Sequence, residues 1–264
     1  MDCVTPSDPS TKLSTSQILG SLEKKGWHLE NRFCLGHDSQ DAGEKLTAIC
    51  SEVGTPIGHD ADGKIVWDIK AREPQKGASA VITYSEHNHE ADLHTDSQYN
   101  DYPEDYFSLL TLKRAACGGG ESSLLTLSDI LVELSDTPVG REVLNILNET
   151  EFPFIVPAVF KKDPEKEFEF VRGRVINQEA HEIRFRVDTI EKALAHDPGL
   201  CTAAQVRAFN FFKNLVRTTK QTRHFFLNDG DLIFINNKTT LHGRSSFTDP
   251  ERHLLRVRMN KFAA

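Results

Sequence analysis

The triplet His94-Thr95-Asp96 and a distant histidine, His242, are the residues of this chain whose types and spacing could do chemistry. In an extended segment residues i and i+2 point to the same side, so His94 and Asp96 could grip one metal ion together. A third ligand from a neighbouring strand, His242, would close one triangular face of an octahedron. Two imidazoles and one carboxylate leave three positions open, which suits iron(II) and an oxygen-activating reaction; structural zinc fills its shell with protein ligands. The pair alone is a weak signal. With 11 histidines in the chain, about one His-x-Asp arises by chance, and two polar residues flanking a turn give the same pattern.

The C-terminal stretch adds weight. Gly230-Asp231-Leu232-Ile233-Phe234-Ile235-Asn236-Asn237 runs into Leu241-His242-Gly243-Arg244-Ser245, followed by Glu251-Arg252-His253-Leu254-Leu255-Arg256-Val257-Arg258. An arginine inside an otherwise apolar strand needs an anionic partner, because its charge cannot be removed. Its planar fork fits a carboxylate in bidentate fashion. By parity Arg252, Leu254 and Arg256 share one strand face. A solvent-facing basic edge satisfies the same parity.

These residues need elements to position them. Ser14–Lys25 reads as a short helix stopped by Gly26, with Ile18, Leu19 and Leu22 on one face. Trp27–Cys34 reads as a strand, and Glu44–Val53 as a second helix ended by Gly54. Strand signals follow at Lys64–Ile69, Ala80–Tyr84, Ser108–Ala115 and Ser123–Leu127. Ser128 can cap a helix running through Leu134. Further strands are predicted at Phe152–Val156, Phe168–Val171 and Ile183–Val187, then helices at Thr189–His196 and Ala203–Thr219. The end returns to strands at His224–Leu227, Leu232–Asn236, Thr239–His242 and His253–Met259. The Asn228-Asp229-Gly230 turn is a hairpin signal. Many short strands with helices at the front and in a late insert predict an all-β barrel or jelly roll with a helical layer.

The length of 264 residues favours one large domain, here residues 14–264 behind a polar, flexible tail at 1–13, with the helical insert around 189–220. A net charge of -8 argues against a nucleic-acid binder. No apolar run approaches membrane-spanning length, and the N-terminal sequence lacks the features of a secretory signal. Cys3, Cys34, Cys50, Cys117 and Cys201 are scattered without CxxC spacing, the pattern of reduced thiols in a cytoplasmic protein.

Taken in order, the His94-Thr95-Asp96, Leu241-His242-Gly243-Arg244 and Arg252–Arg256 motifs resemble the taurine dioxygenase-like family of iron(II)/2-oxoglutarate oxygenases, within the clavaminate synthase-like group. Ala115-Ala116-Cys117-Gly118-Gly119-Gly120-Glu121-Ser122 is similar to the family's small-residue and Gly-Gly segment, whose following Ser or Thr touches the cosubstrate. The resemblance runs from about Trp27 to Met259. It implies a double-stranded β-helix, a distorted jelly roll, in which His94, Asp96 and His242 bind iron. The 1-carboxylate and 2-oxo group of 2-oxoglutarate would chelate that iron. Arg252 would clamp the distal carboxylate with help from Ser122, and Arg256 would contact the cosubstrate or an anionic group of the substrate. The His242-to-Arg252 spacing is on the short side for the family, so the two arginines could exchange roles. Dioxygen and 2-oxoglutarate would drive hydroxylation, desaturation or ring formation. Related halogenases carry Gly or Ala in place of the carboxylate, so Asp96 implies no halogenation.

The substrate is less determined. Gln98, Tyr99 and Asn100 follow the first ligand pair and would line the pocket, though Tyr99 equally suits core packing. Arg244, Asn236 and Asn237 lie near the second histidine, where either asparagine also suits pairing with turn backbone. Arg72 suits an anion site or a surface ion pair. Several polar groups and arginines point to a small carboxylate-bearing molecule, with a free amino acid foremost. The oligomeric state is left open. Two rivals stand beside this reading. The run His87-Asn88-His89 with His94 superficially resembles a zinc hydrolase motif, but that motif needs Asp where Ala91 stands. A jelly-roll binding module without catalysis would need neither the full ligand set nor the arginines. His28-Leu29-Glu30 is a second two-ligand pattern, with no arginine-bearing partner segment.

Overall fold

A computed structural model describes residues 14–33, 38–60, 62–71, 87–163 and 165–263. The predicted tail, the Ala80–Tyr84 strand and Arg72 lie outside the described residues. The first half of the chain forms α1 (Thr15–Lys25), β1 (Trp27–Glu30), α2 (Ser39–Val53), β2 (Thr55–Ile57), β3 (Trp67–Lys70), β4 (Ala91–His94), β5 (Tyr106–Lys113) and β6 (Ser122–Thr126). Helices α3 (Leu127–Ser135) and α4 (Pro138–Glu149) precede β7 (Glu151–Ile155), β8 (Phe170–Arg174), β9 (Ile176–Asn177) and β10 (Glu182–Ile183). The chain then runs through α5 (Val187–His196), α6 (Ala203–Thr218), β11 (Arg223–Phe225), β12 (Leu232–Asn236), β13 (Thr240–Arg244) and β14 (His253–Asn260).

Two antiparallel sheets carry the site. One has the order β1-β12-β5-β14-β2, with β3 also paired to β14; the other runs β11-β6-β13-β4. Strand parity explains the layers. On β5 and β14, Tyr106, Leu110, Leu255, Val257 and Met259 face Ile18, Leu22, Leu46 and Cys50 of α1 and α2. Phe107, Leu124, Ile233, Ile235 and Leu254 form a separate inner cluster. All five residues of β12 are buried, as expected for a strand covered on both faces. Helices α3 to α6 pack over Leu125 and Leu241, on the outside of the second sheet. The alternation that sends Leu241 outward sends His242 inward.

Several sequence expectations shift. Helix α4 was not predicted, although Thr137 caps it by accepting from Gly140 N–H and Pro138 occupies its first turn. Thr126, not Ser128, caps α3, accepting from Asp129 N–H. The Ile183–Val187 strand is only Glu182–Ile183, because Val187 already begins α5. The Asn228-Asp229-Gly230 turn joins no hairpin: β11 pairs with β6, while β12 pairs with β1 and β5. Gly230 still adopts φ 87°, so the local turn chemistry holds while its strands part to different sheets. Gly26 ends α1 at φ 78°, and a Cβ there would lie 2.1 Å from Thr240 Oγ1. No helix among the described residues is long and apolar enough to cross a membrane.

Candidate metal centre

Strands β4 and β13 pair with His94 opposite His242, and their ring centroids are 4.3 Å apart. A bulge between His242 and Arg244 brings β13 so near β4 that a Cβ on Gly243 would lie 2.7 Å from Ala91 O. Beyond His94 the chain leaves the sheet. Thr95 N–H donates to Phe185 O at 2.8 Å and fixes the exit. Asp96 is then clamped by the buried Asn237: Asp96 N–H donates to Oδ1 at 2.8 Å, and Nδ2 donates to Asp96 O and Glu104 O, each at 3.1 Å. Ser97 takes φ 53°, a conformation few non-glycine residues adopt, and this turns the chain back.

These constraints aim three donors at one point. Asp96 Oδ1 lies 3.5 Å from His94 Nε2 and 3.8 Å from His242 Nε2. The three ligand atoms all lie within 4.8 Å of one another, and among the described residues this is the one such group. His94 Nδ1 lies 2.7 Å from Asp92 O; donating there fixes the tautomer that leaves Nε2 with its lone pair inward. Burial, reinforced by His94, pulls the His242 imidazole down to about 3, so it is neutral and able to ligate. Burial pushes the Asp96 carboxyl up, but Arg256, His94 and His242 outweigh it and hold the group well below the usual carboxylate range. Two imidazoles and an ionised carboxylate on one face fit a divalent ion of the iron(II) class. His87 and His89 do not join this group, so among the described residues the hydrolase-like reading of the histidine run has no ligand set behind it.

Arg252, just before β14, and Arg256 and Arg258 on β14 line the cavity. Arg256 Nη1 donates to Asp96 Oδ2 at 3.1 Å, and its Nε donates to His59 Nε2 at 3.3 Å. Arg258 forms a buried ion pair with Glu104 at 2.9 Å. Arg252 is 7% exposed and, among the described residues, has no carboxylate within ion-pair distance; it lies against the Phe247 ring, 4.9 Å from its centroid. Burial and the nearby Arg244 pull its guanidinium down to about 9. Gly120, at φ 79°, passes so close that a Cβ would lie 3.2 Å from Arg252 Nε.

One cavity of about 1040 Å³ joins the donors to Ser122, Arg252 and Arg256 and continues past Gln98, Tyr99 and Asn100. The sequence-predicted site residues therefore meet in one place. Gln98 is 1% exposed and, among the described residues, its Oε1 has no hydrogen-bond partner. The Tyr99 ring stacks on Phe160 at 5.0 Å. Arg244 lines the cavity too, but its guanidinium donates to His87 O, His89 O and Ser245 O, fastening that segment to β13. Asn236 donates to Leu22 O and accepts from Lys238 N–H, the backbone pairing its turn position suggested. Sequence reading missed His59 and the Arg258–Glu104 pair. Parity from Arg256 would have found Arg258; nothing local marks His59 or Glu104. Replacing Asn237 by alanine should cost at least about 2 kcal/mol, because buried backbone groups of Asp96 and Glu104 lose their partner. Urea unfolding of the metal-free protein measures it, and an unchanged midpoint would refute the clamp.

A sequence model described as taurine catabolism dioxygenase TauD, TfdA family matches residues 25–258. No curated protein matches the sequence significantly. Among similar solved structures is asparagine oxygenase in complex with Fe(II), 2S,3S-3-hydroxyasparagine and succinate, at TM-score 0.70 and 15% identity, covering 94% of this chain and 78% of that one. Another is the non-heme iron oxygenase OrfP with Fe and alpha-ketoglutaric acid, at TM-score 0.65 and 16% identity, with the same 94% and 78% coverage. A taurine dioxygenase from Burkholderia xenovorans aligns at TM-score 0.61 and 16% identity over 98% of this chain and 84% of that one.

Proposed function

This chain belongs to the taurine catabolism dioxygenase TauD, TfdA family and is an iron(II)/2-oxoglutarate-dependent dioxygenase; on that premise we propose that His94, Asp96 and His242 hold its iron and that Arg252, with Ser122, clamps the distal carboxylate of 2-oxoglutarate. The observation that carries the assignment is the single inward-facing donor group, with Asp96 Oδ1 facing both Nε2 atoms and Oδ2 engaged by Arg256. The choice between the arginines rests on their partners. Arg256 already serves Asp96 and His59, whereas Arg252 is a buried cation facing the cavity without a carboxylate. A dicarboxylate supplies what Arg252 lacks.

Iron(II) with 2-oxoglutarate and dioxygen supplies the oxidising power, 2-oxoglutarate leaving as succinate and carbon dioxide. The protein's own groups position and exclude. Arg252 and Ser122 orient the cosubstrate, Phe107 and Leu254 wall off water beside the donors, and Arg256 keeps Asp96 ionised. Gln98 Oε1 accepts from an N–H of the substrate, which Tyr99 and Asn100 help to enclose, with Arg244 on the opposite wall. The substrate is a small carboxylate-bearing molecule, in our reading a free amino acid. Hydroxyasparagine and (3S)-hydroxy-L-Arg in the similar structures support this class. The two sheets enclosing the cavity support a double-stranded β-helix. We assign residues 14–264 to a single domain with α5 and α6 as its helical insert, acting in the cytoplasm on small molecules rather than on nucleic acid.

Oxygen-free protein given iron(II) and 2-oxoglutarate should develop a weak visible charge-transfer band that His94→Ala abolishes. A band that survives that substitution would overturn the ligand assignment. Succinate release across a panel of amino acids then identifies the substrate. Because Asp96 fills the position a halide would need, the product should gain an oxygen or lose two hydrogens and never gain chlorine; mass spectrometry of turnover in chloride checks this.

A further inference from the structure

A partner on one oxygen of Asp96 favours its offering only the other to a metal, and Arg256 is that partner, donating to Oδ2 at 3.1 Å. A single hydrogen bond does not fix a guanidinium, which can pivot about that bond. Arg256 has a second, at a different edge: its Nε donates to His59 Nε2 at 3.3 Å. His59 is itself fixed. Its Nδ1 lies 3.2 Å from Lys64 O, its backbone N–H donates to the same oxygen at 2.9 Å, and its ring stacks on Trp67 at 5.7 Å. Donation from Nδ1 to a carbonyl leaves Nε2 as an acceptor, which is what the Arg256 Nε–H needs. Burial and Arg256 pull the His59 imidazole down to about 3, consistent with that neutral tautomer.

We propose that His59 is a positioning residue for the metal centre, acting through Arg256 to hold Asp96 in one-oxygen ligation. This rests on the assignment of Asp96 as a ligand. His59 reaches the centre from the loop after β2, remote in sequence from every ligand. Without it Arg256 can swing off Asp96 Oδ2, and the carboxylate is free to rotate or to offer both oxygens.

The test is a metal-binding cycle on the full chain, with cobalt(II) as the probe and visible absorption as the readout. Removing an outer partner of a ligand costs about 10–100-fold in metal affinity, the loss expected for Arg256→Leu. His59→Phe keeps the stack on Trp67 and removes the acceptor. It should weaken cobalt by roughly threefold to tenfold, part of the Arg256 effect, and alter the absorption envelope. His59→Gln, which can still accept, should restore both. Because His59 acts through Arg256, the double variant should bind no more weakly than Arg256→Leu alone. Wild-type affinity and spectrum in His59→Phe, or losses that multiply in the double variant, would overturn the proposal. Should His59→Phe fail to fold, as judged by melting of the metal-free protein, His59→Asn, too short to reach Arg256, takes its place in the cycle. If wild type fails to bind cobalt, or Asp96→Ala binds it as tightly, the ligand assignment itself falls and this inference with it. A metal site sensitive to Asp96→Ala but indifferent to His59 removes only the inference.

Discussion

Replacing His242 with alanine eliminates 2-oxoglutarate-dependent succinate formation and weakens iron binding by more than the ~10–100-fold that an outer partner of a ligand costs. The expectation follows from position. His242 supplies one of three donors, and it does so from the strand opposite His94, so no neighbouring donor can replace it among the described residues. His242→Gln is the companion variant, because it keeps bulk beside Phe107, whose ring lies 4.6 Å from the imidazole. Iron titration without oxygen separates loss of binding from loss of turnover. Retention of iron-dependent succinate release in both variants would remove His242 from the site. Preserved melting of the metal-free variants is expected, since the side chain faces a cavity and, among the described residues, its Nδ1 makes no hydrogen bond.

Arg252→Leu is the second large effect. Truncating one partner of a buried charge pair costs about 2–5 kcal/mol, which is roughly 30-fold or more in the Kd for 2-oxoglutarate. Arg252→Lys should recover little, because an ammonium cannot make the bidentate contact. A companion effect on stability has the opposite sign. The folded protein holds the Arg252 guanidinium down to about 9, below its ordinary 12.5, so burying the charge without a partner opposes folding. Below about 9 the charged group carries its full burial cost, so Arg252→Leu should melt higher than wild type at pH 7 in the absence of ligand. Adding 2-oxoglutarate at a fixed concentration to the metal-loaded proteins should then raise the melting temperature of wild type clearly more than that of the variant. An equal ligand-induced shift in both proteins would transfer the clamp to another residue.

The contrast between the two arginines shows where sequence stops. Strand parity put Arg252, Leu254 and Arg256 on one face, and the structure keeps them there. Parity is silent on partners. Only the tertiary fold sets Asp96, just past β4 of one sheet, against Arg256 on β14 of the other, and only the loop after β2 brings His59 to the other edge of the same guanidinium. The parting of β11 from β12 was lost for a related reason. A cap or a turn is written in a few residues, but which strand a segment pairs with depends on surfaces far away in the chain.

Side-chain chemistry, short-range periodicity and motif order are properties of the chain itself, and from them the ligand types, the inward arginines and the mix of strands and helices followed. Convergence of residues 94, 96 and 242, the contacts that set Arg256 against Asp96 and Arg252 against Phe247, and the hydrogen bonds of Asn237 and His59 were decided by tertiary structure. The physical reason is that hydrogen bonds and ion pairs act over about 3 Å, whereas Asp96 and Asn237 stand 141 positions apart in the chain.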